Sequence, residues 1–185
     1  LLNRTIGGKS VKPYQPEGLW KINGASYQED KGEKLYRRSM YTLWKRSVPH
    51  PTIATFDTPS RSFCSVRRQE TNTPLQALVM MNDPTYIEAS RVLGYNMLSF
   101  SDPKAGISDI FKKLTGRSIK KEELNLLLAL RLEEYKKFKS SKYKTKGWLN
   151  TGEFRISNKN SKAMVAANAI VASTIINSDA TITKR

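Results

Sequence analysis

The segment 161–177 constrains the fold more than any other part of the chain, because it has the length of a helix and almost no polar face. Residues 164–167 and 169–172 are all Met, Val, Ala or Ile. A helix that is apolar around most of its circumference has to be buried. The sequence therefore predicts that this helix is the central buried element of the fold.

Other features exclude whole classes of protein. No run approaches the roughly 18 apolar residues that cross a bilayer, so the sequence predicts no membrane span. One Cys and one His exclude an internal disulfide framework and a zinc or c-type haem site made from Cys and His. The chain has no phosphate-binding loop and no dinucleotide fingerprint, and we expect no cofactor in it.

Two helix starts carry capping residues. Thr73 can cap a helix whose first residue is a proline, and Gln76 can reach back to complete a capping box. This pattern predicts a short helix over 74–81. Asp83 is a second capping residue, and it also precedes a proline. This pattern predicts a helix that extends to about residue 98.

Apolar spacing predicts three more helices. One ends at Gly116 and follows a stripe of four residues at i, i+3, i+4 and i+7: Ile107, Ile110, Phe111 and Leu114. Ser118 can cap the next helix, which extends to about residue 139. An earlier helix is predicted over 33–46 from the stripe Leu35, Tyr36, Met40, Leu43 and Trp44.

Loops are predicted at 1–31, 47–72 and 147–160. We therefore expect an all-α fold, a helical bundle-like body with a loop-rich N-terminal third. Residues 1–185 are expected to form a single domain, with a loop-rich part at 1–74 that contains one helix and a helical body at 75–185. The opening Leu1 and Leu2 suggest that the chain is the C-terminal part of a larger protein.

The chain is strongly basic, with 32 Lys and Arg against 16 Asp and Glu and a formal charge of +16. A lysine run over 136–146 can bind phosphate or sulfate, or form a solvated helix end. The overall charge is compatible with nucleic-acid binding, but the sequence contains no named recognition motif. Nucleic acid is therefore the least favoured of the anionic partners.

The candidate site lies in the N-terminal part, where polar residues cluster along the sequence: Arg37, Arg38, Arg61, Arg67, Arg68, Asp57 and Asn72. Guanidinium groups bind carboxylate, sulfate or phosphate in bidentate fashion. Tyr14, Trp20 and Trp44 could add an aromatic platform for a sugar ring. In the alternative interpretation, the arginines fasten the loop 47–72, and at least one of them pairs with Asp57 or Glu70.

Two single residues have a reactive and a structural interpretation. His50 could be a general base, but it lacks a recognisable nucleophile motif, so a structural donor is favoured. Cys64 stands near three arginines that could lower its pKa, whereas a small buried side chain is favoured for it.

The sequence resembles a bacterial family, the C-terminal domain of unknown function number fifteen-fifty-three of planctomycete cytochrome-c-associated proteins. Blocks in register carry the resemblance: GGKSVKPYQPEGLW (7–20), LYRRSMYTLWKR (35–46), TFDTPSR (55–61), RR (67–68), TNTPLQAL (71–78), NDP (82–84), TGR (115–117) and NSDATITK (177–184). The chain departs from the family at Lys9, where a proline is common, and at Ser178 and Ala180 in the tail.

The resemblance implies an exported parent protein that is periplasmic or located at the cell surface. It implies a second domain of unknown function upstream and often an N-terminal cytochrome c module, so that haem is possible only there. It implies no established activity, and function has to be argued from a site.

Three functions remain open. The first is a non-catalytic helical module of a cell-envelope protein that packs against upstream domains or neighbouring subunits. The second is a module that binds an acidic or sulfated polysaccharide through the Arg and aromatic residues, and the third is nucleic-acid binding. An enzyme is the weakest interpretation of these residues alone.

Overall fold

The computed structural model describes residues 2–21, 24, 26–156 and 161–183, and for residues 142–144 it describes the backbone. These residues contain eight α-helices: α1 Pro51–Thr55, α2 Pro74–Asn82, α3 Pro84–Asn96, α4 Pro103–Thr115, α5 Lys121–Ser140, α6 Lys142–Asn150, α7 Lys162–Ile176 and α8 Asp179–Ile182. Within the same residues the extended segments form isolated bridges and no sheet. The predicted all-α class is confirmed.

The chain divides into two compact units, residues 1–79 and 80–185. The division lies close to the predicted boundary between the loop-rich part and the helical body. We call these the N-terminal unit and the helical unit and describe each by itself. That the two form a single domain stays a prediction.

The helix predicted over 33–46 is wrong. The structure has two short 3-10 turns there, Gly32–Tyr36 and Ser39–Tyr41, and the backbone between and after them is extended. The N-terminal segment takes up the backbone groups that a helix would need: the Val11 N–H donates to the Tyr41 carbonyl at 2.8 Å, and the Leu43 N–H donates to the Val11 carbonyl at 2.8 Å. Tertiary pairing therefore overrides the apolar periodicity. Met40, predicted on the buried stripe, is 71% exposed.

The predicted caps of α2, α3 and α4 are present. The Gln76 N–H donates to the Thr73 hydroxyl at 3.3 Å, and the Thr73 N–H donates to the Gln76 side-chain oxygen at 3.0 Å. Asp83 caps α3 by accepting from the Thr85 N–H at 2.8 Å. Gly116 ends α4 in the left-handed region, with φ 77°, where a residue without a Cβ is favoured.

α5 begins at Lys121 and has Lys120 at its cap position, two residues later than the cap predicted at Ser118. The start is fixed by Glu123, whose carboxylate accepts from the Lys120 N–H at 2.8 Å and pairs with Arg117 at 2.5 Å. The hydrogen bond from Arg117 lowers the pKa of Glu123 from 4.5 to about 2. An acidic side chain at the third helical position competes with a hydroxyl cap, and here it prevails.

The loop predicted over 147–160 is wrong in its first part, because α6 occupies Lys142–Asn150. Trp148 of α6 packs on a buried cluster of Phe138, Ala166 and Ala167. This apolar contact stabilises a short helix that Gly147 disfavours. Residues 157–160, the end of the predicted loop, lie outside the described residues, as do the side chains of Lys142 and Lys144.

α7 is the central helix, as the sequence predicted. Its residues from Val165 to Ala169 are 0–1% exposed, and α3 and α5 pack against it. Its one buried polar side chain, Asn168, accepts from the Arg131 Nε–H of α5 at 2.7 Å and donates to the Gly94 carbonyl of α3 at 3.0 Å. Asn168 therefore ties the two neighbouring helices to the central one.

Gly94 permits the close approach of α3 and α7. A Cβ at this position would lie 2.5 Å from the Ala169 nitrogen and 2.7 Å from the Asn168 carbonyl carbon, both of them backbone atoms. Backbone atoms cannot move aside as a flexible side chain can. The two helices pack at this distance only because residue 94 has no side chain.

Replacing Gly94 by Ala should therefore destabilise the protein. We expect a loss of about 1–3 kcal/mol in the free energy of unfolding, the usual cost of an overpacked core. Gly147→Ala is the matched control, since Gly147 is also helical and a Cβ there meets no atom within 4 Å. It should be neutral or stabilising by up to about 1 kcal/mol. Urea denaturation measures both, and equal stabilities of the two variants would contradict the close contact.

Candidate functional site

Arg37 fastens the N-terminal segment of the N-terminal unit. Its Nη2 donates to the Thr5 carbonyl at 3.0 Å and to the Gly7 carbonyl at 2.7 Å. Its guanidinium carbon lies 3.7 Å above the centre of the Tyr41 ring. The side chain is therefore committed to backbone carbonyls and an aromatic face, which is a structural role.

Tyr41 and Arg38 complete this contact. The Gly7 N–H donates to the Tyr41 phenol oxygen at 2.9 Å. This bond, and to a smaller extent a hydrogen bond from Arg38, lowers the pKa of Tyr41 below its ordinary value. Arg38 itself is exposed. Neighbours in sequence, the two arginines therefore lie around one tyrosine.

Asp57 closes the base of the loop 58–70. Its carboxylate accepts from the Thr71 N–H at 2.8 Å and from the Thr71 hydroxyl at 2.8 Å. The Thr71 backbone bond first, and then its hydroxyl, lower the pKa of Asp57. The buried Gln76 side chain donates to the Thr55 carbonyl and to the Thr71 hydroxyl, both at 3.0 Å. This network, formed by Asp57, Thr71 and Gln76, is called the loop clasp below.

The predicted pairing of an arginine with Asp57 or Glu70 is wrong. Among the residues that the structure describes, no ion pair joins either carboxylate to an arginine. The loop is fastened, as expected, but by neutral donors. Thr71 and Gln76 stand close to Asp57 once α2 forms, so their short side chains reach the carboxylate without the entropy cost of ordering an arginine.

The remaining arginines lie on the loop. Arg61 lies over the Trp44 ring, 5.4 Å from its centre, while Arg67 and Arg68 are exposed. Asn72 is exposed as well. The cavity lined by Arg37, described below, is lined by none of the other four arginines. The structure thus places the predicted site residues in several different local environments and not around one cavity.

The residues of the predicted aromatic platform also lie in different surroundings. Trp20 packs on Tyr27 with ring centres 5.1 Å apart, and the Lys45 ammonium nitrogen lies over the Trp20 ring, 4.5 Å from its centre. In the described residues, no ring of Tyr14, Trp20 and Trp44 stacks on another. His50 is buried, and its Nε2 lies 2.9 Å from the Tyr14 carbonyl, which fits the favoured structural role.

The loop 58–70 exposes large apolar side chains beside its cations. Phe63 is 75% exposed, Val66 is fully exposed, and Cys64, predicted to be buried, is exposed too. The prediction that Cys64 is buried rested on its residue type alone, and in the structure the loop does not place this side chain in a core. Sequence reasoning identified the arginines here and missed the apolar residues between them.

A cavity of about 560 Å³ in the N-terminal unit is rich in charge. Two acids and five cations line it: Glu29, Asp30, Lys9, Lys12, Lys31, Lys34 and Arg37. Asp30 accepts from the Lys12 N–H at 2.8 Å and pairs with Lys34 at 3.5 Å. The four lysines come from two separate segments, residues 9–12 and 31–34, so they were not recognised from the sequence as one group.

Comparison with known proteins places the chain in a family. The sequence profile of a family described as PSD1, "Protein of unknown function (DUF1553)", matches residues 1–131. The chain belongs to the DUF1553 family. No curated protein and no solved structure matches the chain.

The DUF1553 match contains all the predicted site residues and the blocks from residue 7 to residue 117, while the tail block 177–184 lies outside it. Lys184 of that block also lies outside the described residues. In the described part of the chain, no group of His, Cys, Asp and Glu could hold a metal ion. No described helix is long and apolar enough to cross a membrane.

One buried ion pair of the helical unit was not found from the sequence. Glu88 and Arg91 of α3 lie 3.4 Å apart and are 6% and 1% exposed. Arg91 Nη1 donates to the carbonyls of Leu149 at 3.1 Å and Phe154 at 2.7 Å. The Phe154 N–H donates to the Glu88 carboxylate at 2.6 Å. The pair thus connects the part matched by the DUF1553 profile to a segment beyond it.

Removing the cation of this pair should destabilise the protein strongly. Arg91→Met keeps most of the side-chain volume but takes from the buried Glu88 its arginine partner, which costs about 3–5 kcal/mol. The control Lys137→Met removes an exposed cation that pairs with Glu133 at 2.7 Å and should cost under about 1 kcal/mol. Thermal and urea unfolding compare them, and equal losses would contradict the structural role of Arg91.

Proposed function

We propose that this chain is a non-catalytic interaction module of a larger bacterial cell-envelope protein. The N-terminal unit presents the loop 58–70 to an acidic surface of an upstream domain or a neighbouring subunit. The observation that supports this most strongly is the exposure of Phe63 and Val66 between the cations Arg61 and Arg67. Aromatic residues and arginine are the types enriched in protein interfaces.

The loop is prepared for binding before a partner arrives. The loop clasp holds both its ends, since Asp57 accepts from Thr71 at 2.8 Å. Asp57 and Arg61 have φ angles of 57° and 58°, in the left-handed region that side chains other than glycine rarely adopt. Such strained residues cluster at functional sites. A loop ordered in advance loses less entropy on binding.

The partner should be acidic with an apolar centre. Arg61, Arg67 and Arg68 outnumber the single acid Glu70 in the loop. The first turns of α2 follow directly and expose Leu75 and Leu78, which are 57% and 53% exposed. An apolar centre with a charged rim is the common composition of interfaces between proteins. The family resemblance implies an exported parent with upstream domains, and this supports an upstream domain as the partner.

A second candidate is the binding of an acidic or sulfated polysaccharide. The cavity with five cations and two acids in the N-terminal unit favours it. Of the arginines first suggested for this function only Arg37 lines the cavity, and lysines supply the other cations. Lysines bind sulfate as point charges, so this site would be sensitive to salt. No comparable observation favours nucleic acid.

The experiment is a titration of the 185-residue chain with the separately produced upstream region of its parent protein. Phe63→Ser should weaken binding about thirtyfold, the effect of losing one interface hot spot of 2 kcal/mol. Arg67→Glu should weaken it too, because an acidic partner then meets a like charge. Leu126→Ser is the control, since Leu126 is 72% exposed and lies on α5 of the helical unit.

Wild-type affinity in both loop variants would contradict the interaction module. The polysaccharide candidate is tested in parallel with heparin-derived oligosaccharides and Lys34→Glu. Binding that Lys34→Glu abolishes and Phe63→Ser leaves unchanged would favour the second candidate. Circular dichroism confirms that each variant is folded.

A further inference from the structure

A second cavity lies wholly within the helical unit. Its volume is about 660 Å³, and residues of α5, α6, the segment 154–156 and the start of α7 line it. Small-molecule sites commonly have volumes of about 300–1,000 Å³. The size therefore suits a small ligand rather than a protein surface.

The inner lining of this cavity is apolar. Its apolar side chains come from all four elements: Phe138, Leu149, Phe154, Ile156 and Ala163. Thr145 of α6 also lines the cavity, and its hydroxyl group is already bonded to the carbonyls of Phe138 and Ser141 at 3.0 Å each. Asn150 is a further polar residue of the lining, but a ligand that enters the cavity meets mostly hydrocarbon, so a polar ligand would recover little of the hydration that it loses there.

Among the lining residues that the structure describes, the same cavity carries four cations and no acid. Lys139, Lys146, Arg155 and Lys162 line it, and all four are exposed. Within the ranges that the structure describes, none of them forms an ion pair. Four cations around one opening produce a field that attracts anions.

The buried pair of Glu88 and Arg91 holds one wall of the cavity in place. Leu149 and Phe154 are the residues whose carbonyls accept from Arg91, at 3.1 and 2.7 Å. The guanidinium carbon of Arg91 lies 5.8 Å from the centre of the Phe154 ring. Glu88 binds the Phe154 N–H as well. A wall fixed by a buried ion pair lets the cavity exist before a ligand binds.

We propose that this cavity binds a monomeric fatty carboxylate, an anion with a carboxylate head and an unbranched hydrocarbon chain. The chain lies against Phe138, Leu149 and Phe154, and the carboxylate lies at the opening with Lys146 and Arg155. The apolar lining thus matches the hydrocarbon chain of such a ligand, and the cations match its carboxylate. This site is separate from the proposed interaction loop and does not depend on it.

Other ligand classes match only one half of the cavity. A sulfated sugar or a phosphate would satisfy the cations but leave the apolar lining uncovered. A neutral alcohol or alkane would cover the lining and leave the cations unused. A cation would be repelled, because none of the described residues that line the cavity carries a carboxylate. Charge and apolar lining together point to an amphipathic anion.

The test is binding of the fluorescent fatty acid cis-parinarate to the full 185-residue chain, with competition by dodecanoate. We expect one saturable site, displacement by dodecanoate, and much weaker displacement by dodecanol, which lacks the charge, and by butyrate, which lacks the chain. Each single change Lys146→Glu and Arg155→Glu should weaken dodecanoate binding about tenfold. Lys104→Glu is the control, since Lys104 is exposed on α4 and does not line the cavity.

A second variant tests the cavity rather than the charge. Ala163→Phe places a large side chain in the lining and should abolish binding, while far-ultraviolet circular dichroism and the melting temperature confirm that the variant folds. The proposal is overturned if wild type fails to bind, if dodecanol competes as well as dodecanoate, or if the charge reversals match Lys104→Glu. Binding to vesicles of anionic phospholipid without binding of monomeric dodecanoate would also overturn it.

Discussion

The helical unit depends on the side chain of Asn168. It is 1% exposed, and it accepts from Arg131 of α5 at 2.7 Å while it donates to the Gly94 carbonyl of α3 at 3.0 Å. A buried amide costs free energy unless its hydrogen bonds are made, so these bonds specify how the helices pack. Small residues around Asn168 let the helices approach, and Gly94 permits the closest contact. Arg131 is half-buried, and desolvation lowers the pKa of its guanidinium because burial disfavours the charged form.

Two further buried polar side chains of the helical unit position a feature of the surface in the same way. Glu88 and Arg91, on the α3 helix that Asn168 fixes, hold the segment with Leu149 and Phe154. The apolar cavity of the helical unit therefore has a wall set by the packing of α3 on α7. In the N-terminal unit the loop clasp has the corresponding structural role, because Asp57 and Thr71 close the loop that exposes Phe63. Buried or local polar bonds position each candidate site, and apolar and cationic side chains form it.

The sequence predicted the elements whose determinants are local. The capping residues Thr73, Asp83 and Gly116 and the apolar helix α7 act within a few neighbours along the chain, and all are found as expected. The helix over 33–46 failed because residues 3–11 compete for its backbone, a non-local contact that periodicity does not reveal. For the site, residue types identified the arginines, but their partners depend on tertiary distance. Arg37 binds carbonyls and Asp57 binds hydroxyl and amide groups, which no spacing rule indicates.

Native-state hydrogen exchange of the full chain tests the central role of Asn168 and α7 most directly. Amide protons of α7 between Val165 and Ala172 should exchange only through global unfolding, with the same free energy and denaturant dependence as the whole helical unit. Amide protons of α3 around Gly94 should exchange with them, while those of α6, in which fewer of the described side chains are buried, should exchange at lower free energy. Faster exchange in α7 than in α4 or α6 would contradict the account.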